Sequence, residues 1–369
     1  MSLTQFRIGG KACRFAPLAL TLMTLSGCNL VVMNPAGDVA SQQADLIIYS
    51  TVLMLIVILP VLLLTVFFAY KYRSANKEAR YDPEWDHSVS LEIVVWTVPL
   101  AIVICLAGLT WVATHRLDPY RDLPRISETR PIDANVTPLQ VQVVAMDWKW
   151  LFIYPEYNIA TVNEMAVIEN RPVELKLTST TVMNAFYVPD MAGMIYAMAG
   201  METELNGVIN SVGTYEGFAS HYNGAGFSRM RFDVQALDQA GFDSWAGAAA
   251  ASNDPLDRAA FVQLDQPSIG NDVHYYGSVE DGLWQRILNM CVGDDDLCLN
   301  DMMMVDALGG GGIDGLLNRE LYRGLCSADD PQGMFSILRP DLADRAEEIN
   351  ALLDFLPPET PPMSVPTGN

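Results

Sequence analysis

The residue types able to do chemistry are few in this chain. Its four histidines, His87, His115, His221 and His274, are scattered, and no two have the local spacing of a histidine metal site. A lone His221 is therefore expected at the surface or in a hydrogen bond. The six cysteines form no CxxC pair, which removes a zinc framework. Met302-Met303-Met304 with Met290 could offer thioethers to soft copper. Three adjacent side chains cannot all face one ion, so packing in a core or interface is the expectation. No Ser–His–Asp order, glycine-rich phosphate loop or carboxylate pair has supporting context, which sets aside hydrolase and kinase chemistry. Trp148 and Trp150, expected on one side of a strand, are read as packing or subunit contacts.

Composition narrows the class further. Half of the 369 residues are apolar and 18% are charged, which excludes a disordered chain. Asp and Glu number 44 against 22 Lys and Arg, a net charge of −22. The excess lies entirely from Arg116 onward, where 15 basic residues face 37 acidic ones. Such a field repels phosphate backbones, so nucleic acid is no partner.

Membrane signals come next. Arg7, Lys11 and Arg14 precede a short apolar run from Leu18 to Leu25, the pattern of an export signal. It ends in Leu25-Ser26-Gly27-Cys28, similar to a bacterial lipobox, so Cys28 is expected to be the lipidated first residue after cleavage at 27. Leu46 to Ala69 is 24 residues without a charge, and Ile93 to Ala113 is 21. About 20 residues at about 1.5 Å each cross a bilayer core, so both are expected to be transmembrane helices. Lys71, Arg73, Lys77 and Arg80 lie between them. Short basic loops stay cytoplasmic, which places Arg116 to Asn369 in the periplasm.

From Leu139 the pattern becomes short strands separated by turn residues. Val141–Ala145, Val173–Thr178, Val182–Val188, Ala197–Met201 and Met230–Val234 are expected strands of a sandwich or barrel of about 110 residues. Ala248 to Ala251 reads as a boundary. Beyond it, Pro255–Leu264, Val279–Met290 and Arg339–Leu356 look helical, Gly309 to Gly312 is a break or tight turn, and the tail from Pro357 has five prolines and no expected fold. Cys291, Cys298 and Cys326 would lie in an oxidising compartment; three thiols allow one disulfide and one leftover, and the pair is open.

These segments resemble a family: subunit II of the haem–copper respiratory oxidases. The stretch His87-Ser88-Val89-Ser90-Leu91-Glu92-Ile93-Val94-Val95-Trp96-Thr97-Val98-Pro99 is similar to that family's start of the second helix. Asp147-Trp148-Lys149-Trp150-Leu151-Phe152 resembles the aromatic run that opens its cupredoxin domain. Thr180 to Pro189 resembles the segment carrying the first copper histidine. Phe242-Asp243-Ser244-Trp245 and Pro267 to Tyr276 resemble the aromatic-rich motif of its quinol-oxidising members. The likeness covers roughly residues 25 to 280. It implies a signal peptide (1–27), a transmembrane hairpin (28–120), a cupredoxin-like all-β sandwich (121–250), and the aromatic-rich motif with a mainly helical extension (251–369).

In the cytochrome c-oxidising branch, a binuclear copper centre is held by Cys-x-x-x-Cys-x-x-x-His-x-x-Met and an upstream histidine. Set on Met230, that spacing falls on Ala219, Asn223 and Phe227; the upstream position is Asn184, and the position whose carbonyl serves as ligand is His221. Of the side-chain ligands only Met230 survives. The resemblance thus implies a quinol-oxidase subunit without a copper site, catalytic residue or cofactor of its own, with haems and copper in subunit I. Expected partners are subunits I, III and IV and ubiquinol in the membrane; cytochrome c is disfavoured. A periplasmic lipoprotein scaffold or assembly factor with a cupredoxin fold is the second reading.

Overall fold

The computed structural model describes residues 30–79, 84–132, 136–293, 298–300 and 302–303. The lipobox with Cys28, the glycine run, Cys326, Met304, the helix expected at Arg339–Leu356 and the proline-rich tail lie outside the described residues.

Two long helices open the chain, α1 (Asp38–Lys71) and α2 (Val89–Arg116). Both are long and apolar enough to cross a membrane, and their most apolar windows bury nothing inside the chain. Helix α1 extends eight residues before its uncharged run and two after it, and α2 four before and three after. Pro60 and Pro99 lie within them, as membrane helices tolerate.

The soluble part is a sandwich of two sheets. A short ribbon, β1 (Arg125–Ser127) with β2 (Arg130–Pro131), precedes it. The strands that follow are β3 (Leu139–Met146), β4 (Lys149–Tyr154), β5 (Ile159–Val162), β6 (Glu164–Ile168), β7 (Val173–Ser179) and β8 (Asn184–Tyr187). Next come β9 (Ile195–Ala197), β10 (Thr203–Gly207), β11 (Gly213–Ala219) and β12 (Arg231–Leu237). Helix α3 (Gln239–Ala250), the two-residue β13 (Pro255–Leu256), α4 (Arg258–Leu264), β14 (His274–Tyr276), β15 (Ser278–Val279) and α5 (Leu283–Leu288) complete the described chain. One sheet has the order β10-β7-β3-β4-β5-β14 and the other β6-β12-β11-β8-β9. This is the expected cupredoxin-like sandwich behind a helical hairpin, with helices at its C-terminal side.

Strands β3 and β4 show why the fold has two apolar layers. Val143, Ala145, Trp150, Phe152 and Tyr154 face the space between the sheets. Their alternates, Val144, Met146, Leu151 and Ile153, pack instead with Leu256, Phe261, Leu283, Trp284 and Ile287. The segment after α3 therefore covers the outer face of the larger sheet, and β14 joins that sheet by pairing His274–Tyr276 with Ala160–Val162. A strand covered on both sides loses its alternation.

Several sequence expectations are corrected. The strand expected from Val182 starts at Asn184, because Ser179 Oγ donates to Val182 O at 2.6 Å and closes a turn there. The one expected at Ala197–Met201 ends at Ala197, ahead of Gly200 at φ 72°. Ala248–Ala250 form the last turn of α3, whose Phe242, Ala246 and Ala249 enter the sandwich core. Pro255–Leu264 becomes helical only at Arg258, capped by the Asp257 carboxylate on Ala260 N. Val279–Met290 is helical only over Leu283–Leu288. Trp148 and Trp150 do not share a strand: Trp148, at φ 63°, sits in the turn that joins β3 to β4. Of the three candidate thiols, Cys291 and Cys298 form the disulfide.

Candidate functional site

Three of the six copper-loop positions meet in space. Asn184 begins β8 and is 1% exposed; Met230 precedes β12 and is fully buried. Asn223 reaches between them, its Nδ2 donating to Asn184 Oδ1 and, at 3.0 Å, to Met230 Sδ. Asn184 Nδ2 in turn donates to Val182 O at 2.9 Å. Ala219 ends β11, its methyl buried in the core, with its N–H on Met230 O at 3.1 Å. Phe227 packs its ring against Tyr222 at 5.6 Å. His221 points outward, exposed, with Tyr196 edge-on at 6.3 Å.

Trp148 closes this loop. Its indole N–H donates to Asn223 O at 3.3 Å. The ring lies so close to Gly226 that a Cβ there would come within 2.2 Å of Trp148 Cγ, so no larger residue fits at 226. Met303 is exposed.

These residues do not fit a binuclear copper centre. Two bridging thiolates and two imidazoles are needed. A methyl and a phenyl ring stand at two ligand positions, and the two carboxamides are hydrogen-bonded to each other and to the thioether. The site is neutral polar packing. Asn223 Oδ1 and Ser220 Oγ are buried there without a hydrogen-bond partner among the described residues.

A second polar cluster escaped the sequence reading. Lys149 opens β4, is 1% exposed, and donates through Nζ to Gln266 O at 2.7 Å and Ser268 Oγ at 2.6 Å. Burial holds its ammonium below the usual lysine range, with Asp265 and Asp147 pulling it back up. Glu164 at the start of β6 accepts through Oε1 from Trp245 Nε1 at 2.8 Å and from Tyr275 OH. Burial, then the hydrogen bond and charge of Glu164, push Tyr275 up to about 12. Together these bonds stitch the segment after α3 to the sandwich. The one sequence signal was a cation inside the apolar run Trp148 to Tyr154.

Comparison with known proteins gives this stitched segment a family. The COX Aromatic Rich Motif matches residues 250–295. The cytochrome bo(3) ubiquinol oxidase subunit 2 of Pseudomonas putida is 44% identical over 274 residues, 74% of this chain and 84% of the relative. That of Pseudomonas aeruginosa is 43% identical over 75% of this chain and 81% of its own length. The ubiquinol oxidase subunit 2 of Acetobacter aceti is 42% identical over 75% and 88%. Among solved structures, the periplasmic domain of cytochrome oxidase subunit II from Bradyrhizobium japonicum aligns with 30% of this chain and 91% of its own, at 21% identity and TM-score 0.29. With relatives above 40% identity aligned over most of their length, this chain belongs to the ubiquinol oxidase subunit 2 family.

Proposed function

We propose that the chain serves a proton-translocating oxidase that takes electrons from ubiquinol and reduces oxygen to water, and that it carries no redox metal itself. The observation that carries this reading is the bonded Asn184–Asn223–Met230 cluster, which occupies the ligand positions with neutral groups. Without a metal the soluble domain cannot relay electrons from a water-soluble donor. A quinol in the bilayer needs no such relay. The chain's work is then to dock on the haem–copper subunit I, beside subunits III and IV, and to stabilise the assembly.

Its place would be the bacterial inner membrane, crossed by α1 and α2 with the basic loop Lys71, Arg73, Lys77 and Arg80 in the cytoplasm. Cys28 adds a lipid anchor. The test is purification of the native complex through this chain. Haem absorption, ubiquinol-dependent oxygen uptake and subunits I, III and IV in the eluate are expected. Copper should match the content of subunit I alone. A chain that elutes without haem or activity would favour the scaffold or assembly-factor reading. Intact mass of the mature chain checks the anchor: it should begin at Cys28 and carry acyl groups.

A further inference from the structure

A cavity of about 300 Å³ lies between the outer ends of α1 and α2 and the sandwich, apart from both clusters described above. Gln43 lines it three residues before the uncharged run that starts at Leu46, and Arg116 lines it three residues after Ala113. At about 1.5 Å per residue, both stand about 4.5 Å outside the hydrocarbon. The headgroup layer is about 5–7 Å deep on each side. The floor of the cavity is therefore at headgroup level, and its roof is Leu205 and Asn206 of β10.

Six charged residues line it, three of each sign. Asp38 and Arg125 neutralise each other, with Arg125 Nε on Asp38 Oδ2 at 2.8 Å and Gln42 Nε2 on the same oxygen at 2.8 Å. Four exposed side chains remain: Arg116, Arg121, Asp118 and Asp122. Arg116 and Asp122 have no ion pair or side-chain hydrogen bond among the described residues. Arg121 donates only a long bond of 3.3 Å to His115 O, and Asp118 accepts from Tyr120 N at 3.0 Å. Two cations beside two anions carry no net charge and favour neither a simple anion nor a simple cation. A ligand carrying both signs satisfies both pairs.

We propose that this cavity binds the headgroup of a zwitterionic glycerophospholipid, its phosphate on Arg116 and Arg121 and its ammonium on Asp118 and Asp122. The proposal rests on the reading that α1 and α2 span the membrane. A lipid wedged there would fix how the sandwich stands on the bilayer.

The test uses the purified complex, washed in detergent to constant lipid content and then offered dioleoylphosphatidylethanolamine, dioleoylphosphatidylglycerol or inorganic phosphate. Bound molecules are counted by native mass spectrometry. The unaltered complex should retain one phosphatidylethanolamine more than the Arg116→Ala/Arg121→Ala variant, whose affinity should fall by up to about thirtyfold, since each exposed ion pair contributes up to about 1 kcal/mol. The Asp118→Asn/Asp122→Asn variant keeps the phosphate donors and should turn the preference toward phosphatidylglycerol. Equal retention in unaltered and Arg-substituted complexes overturns the site. So does a preference for phosphatidylglycerol in the unaltered complex, or inorganic phosphate bound as tightly as lipid. Alkaline carbonate separates the two readings. If the chain stays in the membrane and lipid retention is unchanged, the site alone fails; if the chain washes out, the spanning reading falls and takes the site with it.

Discussion

The loop cluster of Asn184, Asn223 and Met230 and the seam of Lys149 and Glu164 both place polar groups inside one sandwich, by different means. The loop uses neutral groups, one of its bonds ends on a thioether, and Asn223 Oδ1 has no partner among the described residues. The seam uses charged groups, each joined to two partners across more than 80 residues of chain. A neutral amide tolerates a missing bond at about 1–3 kcal/mol. A buried ammonium left unpaired costs more. The loop is replaceable packing; the seam joins the aromatic-rich segment to the β-sheets.

If the loop is only packing around an inherited backbone, it can be rebuilt. Ala219→Cys, Asn223→Cys, Phe227→His and Asn184→His, with Met230 kept, restore two thiolates, two imidazoles and a thioether. His221→Glu is added to match the copper-bearing branch at the position whose carbonyl serves as ligand there. The variant is expected to take up two copper ions and turn purple, against none for the unaltered chain, as metal analysis and visible absorption would register. A folded variant that takes none would show that the loop backbone has diverged along with its side chains.

The next effect belongs to the seam. Lys149→Met keeps the side-chain volume and removes both bonds, to Gln266 O and Ser268 Oγ. The expected loss is about 3 kcal/mol, because two acceptors each lose a charge-assisted donor. For a unit of this size that lowers the thermal midpoint by about 6–12 °C, read on the detergent-solubilised chain. A shift under about 2 °C would erase the contrast between the two clusters.

How much of this could be read from the chain follows from the same geometry. The first half of Leu139–Met146 and most of Val173–Ser179 alternate because one face is the inter-sheet core and the other is more open, and both strands were legible. Lys149–Tyr154 is buried at every position, so the strand expected at Trp148 and Trp150 rested on those two aromatics and not on a polar alternation. Helix α3 was hidden by its run of alanines, which have no face to show. The loop positions came from family spacing, and in the structure Asn184, Asn223 and Met230 are in contact. Lys149 could not be paired in advance, because its acceptors lie 117 and 119 residues away.

Alkaline pH probes the Glu164 end of the seam. Tyr275 is held protonated by burial and by Glu164, its pKa pushed from 10.0 up to about 12. A group raised in the folded state gives stability that is complete below the unfolded value and lost as pH climbs through the folded one. Stability should therefore decline between pH 10 and about 12. Absorbance at about 295 nm, compared with Tyr275→Phe, follows the phenolate directly. Glu164→Gln should move that titration to lower pH, since it removes the carboxylate's charge while Trp245 keeps an acceptor.

The smallest effect is expected from Asn223→Ala, and its smallness is the point. The substitution removes a bond to Asn184 Oδ1 and a weak one to Met230 Sδ. Two buried acceptors are then left without that donor. It also removes Asn223 Oδ1, which is buried without a partner among the described residues. Leaving Asn184 Oδ1 unpaired costs about 1–3 kcal/mol, the weak thioether bond adds little, and removing the unpaired Asn223 Oδ1 returns an amount of the same size. The net change should stay within about 1 kcal/mol, a shift of about 2–4 °C at most. Trp148 supplies the control, because its indole bonds the backbone oxygen of Asn223 and not the side chain. Its fluorescence should therefore stay unchanged in Asn223→Ala. A loss above about 2 kcal/mol, or an altered Trp148 signal, would mean that the carboxamides hold the loop in shape and that the cluster is as structural as the seam.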